Sequence, residues 1–280
     1  TGIEEPAMNA QTPNGQAPNG QTPNGQTPNG QTPNGQTPEP LKIAELPSPN
    51  CDDRPEGQKV DILLLHYTGM PDASQALRRL RDPQAKVSAH YVIDLDGSVT
   101  RMVPEEKRAW HAGVSCWQGA RDINARSIGI EIVNPGHEFG YRPFQLAQMD
   151  ALVALAKDIK TRHDIAPERV LGHSDVAPTR KQDPGELFDW FRLSVEGIAI
   201  WPQPRAVNWT DGQFLEALQI YGYDVTGPAN LPANVDRQAI AKSCCFAFCR
   251  HFRPAILRNM PDPEMKAILA GLIDKTAKQT

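Results

Sequence analysis

Two strand-like apolar runs constrain the fold of this chain more than any other feature, and each carries a side chain suited to chemistry. Residues 60–67 form an almost unbroken apolar run closed by His66 and Tyr67, a pattern typical of a central strand covered on both faces. Residues 127–134 alternate with a period of two, which puts three isoleucines on one face and Glu131 on the other. A carboxylate in an apolar strand is costly unless a charge or hydrogen bonds meet it. We therefore predict a buried sheet with functional groups at its rim.

A third segment, residues 170–185, delivers a histidine and an aspartate into a Pro- and Gly-rich loop. His173 follows a short apolar run, Asp183 comes ten residues later, and Lys181 lies two positions before the aspartate. Imidazole and carboxylate are ligand types that zinc accepts, and a catalytic zinc site uses three protein ligands and leaves one position for water. His66, at the end of the earlier strand, is the candidate for the third ligand.

The remaining pattern between residues 41 and 203 alternates between helices and strands. Helical spacing or capping predicts helices at 72–81, 143–163 and 185–193. An Asp-Gly turn predicts a hairpin over 90–103. Hairpin and crossover connections in one domain favour the α/β class, with a mixed β-sheet flanked by helices.

The two ends of the chain differ from this central domain. Residues 1–40 contain five successive Gln-Thr/Ala-Pro-Asn-Gly units, which lack the large apolar side chains needed to offset the entropy of ordering. We predict a disordered tail, which serves either as a tether or as an unconstrained repeat expansion. Residues 208–280 carry amphipathic segments at 211–221, 236–252 and 263–273, which predict a small three-helix domain.

Composition excludes some classes of function. The net charge is −4, so no basic field favours nucleic acid. No run of about 18 apolar residues is present, so we expect no transmembrane segment in this chain, although an anchor upstream of Thr1 stays open. The five cysteines show no evenly paired framework and leave the compartment open between cytoplasm and periplasm.

Five motifs follow one another along the chain: HYTG at residues 66–69, SAHYVID at 88–94, AWHAG at 109–113, SIGIEIVNPG at 127–136 and GHSDVAPTRKQDPG at 172–185. They resemble the motifs of the zinc-dependent N-acetylmuramoyl-L-alanine amidases, also called type 2 amidases, and occur in the same order. The resemblance covers roughly residues 46–202. Five motifs in one order make it highly specific.

The resemblance implies a zinc ion held by His66, His173 and Asp183. It also implies that Glu131 and Lys181 are the catalytic pair. The implied reaction is hydrolysis of the amide bond between N-acetylmuramic acid and the L-alanine that begins the stem peptide of peptidoglycan. Zinc would lower the pKa of a bound water from about 15.7 towards about 7. Glu131 would carry the proton to the leaving nitrogen, and Lys181 would stabilise the oxyanion.

Further residues border this region. We expect Tyr67, His111 and Asn134 to contact the glycan or the peptide, and we expect His90 to have a core or supporting role. Three histidines lie in no supporting pattern and are given no role: His137, His163 and His251. Residues 208–280 resemble a three-helix peptidoglycan-binding domain, with a merely stabilising helical cap as the alternative.

The predicted function is amide hydrolysis on peptidoglycan or muropeptides in cell-wall turnover, with the glycan strand and stem peptide as partners. We expect a place in the cell envelope or periplasm. A cytoplasmic amidase that recycles anhydro-muropeptides is one alternative. A module that binds muropeptides without cleaving them is another.

Overall fold

The computed structural model describes residues 41–227 and 236–277, and its centre is a six-stranded sheet. The strands are β1 (Ile43–Glu45), β2 (Cys51–Asp53), β3 (Ile62–Tyr67), β4 (Tyr91–Ile93), β5 (Val99–Arg101), β6 (Lys107–Ala109), β7 (Ser127–Ile132) and β8 (Val170–Gly172). The helices of these ranges are α1 (Ala73–Arg81), α2 (Ile123–Arg126), α3 (Gly136–Phe139), α4 (Leu146–Arg162), α5 (His173–Val176), α6 (Trp190–Val195), α7 (Asp211–Tyr221), α8 (Arg237–Phe252) and α9 (Pro263–Ala277), with a short 3-10 helix at Pro167–Arg169.

The sheet is mixed, as predicted, with the strand order β1-β5-β4-β7-β3-β8. Strands β4, β7, β3 and β8 run parallel to one another, whereas β5 pairs antiparallel with β4 and parallel with β1. A separate antiparallel ribbon is formed by β2 and β6. Because parallel strands end at one edge of a sheet, the carboxyl ends of β7, β3 and β8 come together. Functional groups that follow these strands can meet there.

Both faces of the central strand β3 are covered, as the apolar run predicted. Leu63 and Leu65 are fully buried in a core shared with β7 and α4. Ile62 and Leu64 are equally buried in a second core, which also contains side chains from α7, α8 and α9. Burying each such side chain contributes about 1.5–3 kcal/mol. The last three helices therefore stabilise the same core as the sheet.

Most predicted elements of the central domain are confirmed within a few residues. The hairpin is present as β4 and β5, and α1 begins directly after Asp72, whose side chain caps the helix as predicted. The helix predicted at 185–193 is wrong in its first half. Gly185 has a φ of 85°, outside the helical range, and α6 begins only at Trp190. The reason is Asp189, which caps the amino end of α6 with its side chain.

The three helices predicted near the carboxyl end are confirmed as α7, α8 and α9. The described residues belong to one compact unit. The division of the chain into domains at 41–203 and 208–280 stays a prediction, and the tail predicted for residues 1–40 lies outside the described residues. None of the helices in the described ranges combines the length and apolar character needed to cross a bilayer.

Candidate active site

The three predicted zinc ligands meet at the carboxyl edge of the sheet. His66 lies near the end of β3, His173 begins α5 directly after β8, and Asp183 follows in the next loop. The Nδ1 atoms of His66 and His173 are 2.9 Å apart, and each lies 3.0 Å from Oδ2 of Asp183. The Ser174 amide donates to the backbone carbonyl of Asp183 at 2.9 Å and so holds the loop against α5. All three side chains are buried.

The tautomer of His173 follows from its outer hydrogen bond. Its Nε2 lies 2.9 Å from the backbone carbonyl of Ala112. A carbonyl oxygen can only accept, so Nε2 carries the hydrogen and, in the neutral ring, Nδ1 presents a lone pair. The lone pair of His173 therefore faces His66 and Asp183.

A chain of hydrogen bonds sets the tautomer of His66 in the same way. The Ser127 hydroxyl donates to the carbonyl of Ile123 at 2.6 Å, which leaves its oxygen to accept from Nε2 of His111 at 3.3 Å. Nδ1 of His111 then carries a lone pair and accepts from Nε2 of His66 at 3.1 Å. As a result, Nδ1 of His66 also presents its lone pair to the cluster.

Gly129 makes room for this chain of hydrogen bonds. It lies on β7 beside the His111 ring, and a Cβ atom at this position would come within 2.5 Å of that ring. A side chain here would push His111 away from His66. The need for space beside His111 therefore explains why a glycine occurs in the middle of this apolar strand.

The charge state of the cluster matches a cation site. Burial lowers the pKa of His66 to about 4, so this ring is neutral near pH 7. Burial alone would raise the pKa of Asp183, but attraction to and hydrogen bonding with His173 and His66 hold it well below its usual range, and the carboxylate is ionised. These contacts place positive charge beside the carboxylate, and a bound cation can take that place, because the outer hydrogen bonds turn both Nδ1 lone pairs inward. Two imidazoles and a carboxylate form a donor set that zinc accepts.

Glu131 and Lys181 flank this cluster. Glu131 lies opposite His66 in the register of β7 and β3, and its Oε2 is buried with no hydrogen-bond partner among the described residues. Burial, and then the Asp183 carboxylate, raise the pKa of Glu131 well above its ordinary value, while the Lys181 ammonium opposes that rise. Both side chains line the cleft, so a proton acceptor and a cation stand beside the three candidate ligands.

The cleft over the cluster has a volume of about 610 Å³ and contains some of the predicted substrate residues. Tyr67 and His111 line it, and the Tyr67 hydroxyl lies 2.9 Å from Nδ1 of His137. Asn134 is buried outside this lining, and its side-chain amide is hydrogen-bonded to the backbone of its own loop. The structure therefore does not bring Asn134 to the cleft.

Two further residues of the cleft were missed by the sequence analysis. His137 directly follows the SIGIEIVNPG motif, and that adjacency was the available signal. Arg79 projects from α1 into the cleft lining, and an arginine on a polar helix gives no comparable signal. His90 lies in the core, as one of the two expected roles required, and its buried Nδ1 accepts from the Gly129 amide at 3.0 Å.

Comparison with known proteins identifies the family. The sequence profile described as N-acetylmuramoyl-L-alanine amidase matches residues 56–186. The N-acetylmuramoyl-L-alanine amidase AmiD of Escherichia coli (strain K12) is 38% identical over 240 residues, which are 78% of this chain and 83% of that protein. The 1,6-anhydro-N-acetylmuramyl-L-alanine amidase AmpD of the same strain is 37% identical over 167 residues, which are 54% of this chain and 89% of that protein.

Solved structures agree with this result. The E. coli AmiD complex with anhydro-N-acetylmuramic acid-L-Ala-D-gamma-Glu-L-Lys has a TM-score of 0.68 at 35% identity and covers 79% of this chain and 92% of that one. AmpDh3 from Pseudomonas aeruginosa, in complex with anhydromuramic pentapeptide, has a TM-score of 0.69 at 36% identity and covers 79% of this chain and 94% of that one. The chain belongs to the N-acetylmuramoyl-L-alanine amidase family, and it is an amide hydrolase of that class.

Proposed function

We propose that this chain uses zinc, held by His66, His173 and Asp183, to hydrolyse the amide bond between the lactyl group of N-acetylmuramic acid and L-alanine. One observation carries the proposal: two Nδ1 atoms and one carboxylate oxygen lie within 3.0 Å of one another, with their lone pairs turned inward. Such a donor set, with catalytic groups beside it, is typical of a hydrolytic zinc site.

The side chains around the cluster have separate roles in this proposal. When bound, zinc supplies Lewis acidity, which acidifies a water and polarises the scissile carbonyl. Glu131 accepts the proton of the attacking water and delivers it to the departing nitrogen of L-alanine. Its raised pKa suits that task, because it increases the affinity of the carboxylate for the proton of the water. The Lys181 ammonium stabilises the oxyanion that forms on the carbonyl oxygen.

The substrate that we propose is a muropeptide, either free or within peptidoglycan. The support is the similarity to AmiD and AmpDh3, whose solved complexes contain an anhydro-muramoyl peptide. In this chain, Arg79 lines the cleft and offers a cation to a carboxylate of the stem peptide. A module that only binds muropeptides is less well supported, because Glu131 and Lys181 flank the three candidate ligands.

The test compares three variants on a defined N-acetylmuramoyl peptide, with products identified by mass spectrometry and protein-bound zinc measured in parallel. We expect Glu131→Gln to retain zinc and lose about 10²–10⁴ in rate. We expect His173→Ala to lose both zinc and activity. His163→Asn is the control, since its ring bonds Glu105 on another part of the surface, and it should behave as the wild type. Turnover by metal-free wild-type protein would refute the zinc requirement.

A second experiment concerns the partner and the compartment. We propose that the chain acts in the cell envelope and that α7, α8 and α9 help it to bind peptidoglycan. The inactive Glu131→Gln protein, with all three helices present, should co-sediment with purified sacculi. Hydrolysis of a small anhydro-muropeptide without any binding to sacculi would instead favour the cytoplasmic recycling role.

A further inference from the structure

The last three helices reach the segment that carries two of the three candidate zinc ligands. We call residues 172–186 the ligand segment, since His173 and Asp183 lie in it. Arg250 on α8 donates to the side-chain oxygen of Gln182 at 3.1 Å, directly before Asp183. At the other end of the segment, the contact with the helices is made through a buried carboxylate.

That carboxylate is Asp175, which shares the single turn of α5 with His173. Its Oδ2 accepts from the Gly172 amide at 2.7 Å, which fixes the entry into the turn. The Tyr223 hydroxyl donates to Oδ1 at 2.6 Å, and Nδ1 of His251 donates to Oδ2 at 2.8 Å. A buried carboxylate is tolerated only when such donors surround it. Two of its three donors come from the carboxyl-terminal helices and the turn between them.

His251 is held firmly in place for this contact. Its ring stacks on Trp190, with centroids 3.7 Å apart, and on Phe252, with centroids 3.9 Å apart. Its Nε2 is buried with no hydrogen-bond partner among the described residues, so the bond to Asp175 is the polar contact of this ring. The two stacking contacts fix the plane of the imidazole, and the Nδ1 hydrogen bond lies on the Asp175 side of the ring. The position of His251 therefore helps to determine where Asp175 lies.

The turn after α7 is shaped for a second contact with the catalytic part of the chain. The Gln118 amide donates to the carbonyl of Gly222 at 2.9 Å. Gly222 has a φ of 155°, and a Cβ atom there would come within 2.5 Å of the Trp117 ring. The preceding residue, Cys116, donates its amide to the carbonyl of Val176 at the end of α5 at 2.8 Å. The turn thus contacts α5 directly through Tyr223 and indirectly through residues 116–118.

We propose that Tyr223 and His251 are positioning residues of the catalytic centre, which hold Asp175 and through it orient His173 for zinc. The carboxyl-terminal helices are then part of the metal site's framework, in addition to any role in binding peptidoglycan. This inference rests on the proposed zinc function. It predicts that a substitution at Tyr223 or His251, neither of which is a zinc ligand, alters the affinity for zinc.

The test uses two neighbouring tyrosines in the full chain, Tyr221 at the end of α7 and Tyr223 in the turn that follows it. Tyr223→Phe removes the hydroxyl that donates to Asp175. Tyr221→Phe is the matched control, because its hydroxyl is buried with no hydrogen-bond partner among the described residues. Zinc affinity is measured by competition with a chromophoric chelator. We expect Tyr223→Phe to bind zinc about tenfold more weakly, as is typical for partners that orient ligands, and we expect Tyr221→Phe to match the wild type.

A second pair of variants keeps the test decisive if Tyr223→Phe does not fold. His251→Phe preserves the stack on Trp190 but removes the donor, and His251→Asn returns an N–H close to the position of Nδ1. We expect zinc affinity to fall in the first variant and to recover in the second, with KM for the muropeptide unchanged in both. A lower melting temperature with unchanged zinc affinity would overturn the inference and leave only a structural role. Failure of the wild type to bind zinc would overturn the proposed function as well.

Discussion

We expect the hydrogen bond from His66 to His111 to increase the affinity for zinc. The substitution His111→Phe removes this hydrogen bond. Phenylalanine keeps the ring but has no acceptor, so the buried Nε2–H of His66 is left unpaired. An unpaired buried donor costs about 1–3 kcal/mol. The imidazole can avoid that cost by moving its hydrogen to Nδ1, where the hydrogen would bond Asp183. This tautomer has no lone pair for the ion.

The same cost gives the size of the expected effect. Because about 1.4 kcal/mol corresponds to a factor of ten, the zinc affinity of His111→Phe should fall roughly 5- to 140-fold. Chelator competition near pH 7 measures this, with circular dichroism to show that the metal-free variant is folded. Gly129→Ala should act in the same direction, since its methyl group would displace the His111 ring.

A matched variant and a contrary outcome complete this experiment. His111→Asn places an amide oxygen near the position of Nδ1, so it should restore most of the zinc affinity. If His111→Phe binds zinc as tightly as the wild type and raises KM instead, our reasoning on tautomers is refuted. His111 would then contact the substrate, as the sequence analysis predicted.

Two further predictions follow from the charges around the cluster. Lys181→Met should keep zinc and lower kcat by about 10²–10³-fold, because it removes only the cation beside the oxyanion, and unchanged single-turnover rates would contradict this. In metal-free Glu131→Gln protein, where the opposing titration of Glu131 is absent, stability should fall between about pH 8 and pH 5. Burial lowers the pKa of His66 to about 4 and that of His90 to about 3, so the unfolded chain takes up protons that the folded chain does not. Each histidine should cost about 2 kcal/mol by pH 5, and urea unfolding with equal stability at both pH values would disprove it.

The positions of the reactive groups could be predicted from the sequence. His66 closes an almost unbroken apolar run and Glu131 lies in an alternating one, both typical of buried strands, and His173 follows a third run directly. That these three side chains meet was implied by the resemblance to the amidase family, and the parallel pairing of β3 with β7 and β8 now explains it, because parallel strands share a carboxyl edge. Asp183 is joined to His173 by a short loop. The pattern of apolar residues places each group on or directly after a strand, whereas the meeting of the groups at one edge required the resemblance.

The hydrogen-bond partners could not be predicted in this way, because they join residues that are far apart in the chain. His251 is separated from Asp175 by 76 positions and Tyr223 by 48. In the sequence, a histidine near the end of an amphipathic helix gives no sign of its hydrogen-bond partner, because that partner is known only from the tertiary structure. Asn134 shows that a place in a motif does not by itself identify a side chain that reaches the cleft. Its place in a motif marked the region of the site, but its side chain bonds its own loop.

The AWHAG motif acquires a physical meaning from these contacts. The His111 side chain accepts from His66, and the carbonyl of Ala112 accepts from His173, so two adjacent residues set the tautomers of both imidazoles. The Asn124 side-chain oxygen accepts from the amides of both, at 3.1 and 2.8 Å, and fixes their backbone. The lone pairs of the cluster are therefore determined by acceptors that do not belong to it. It follows that substitutions at these acceptors should weaken the proposed zinc binding while all three proposed ligands remain intact.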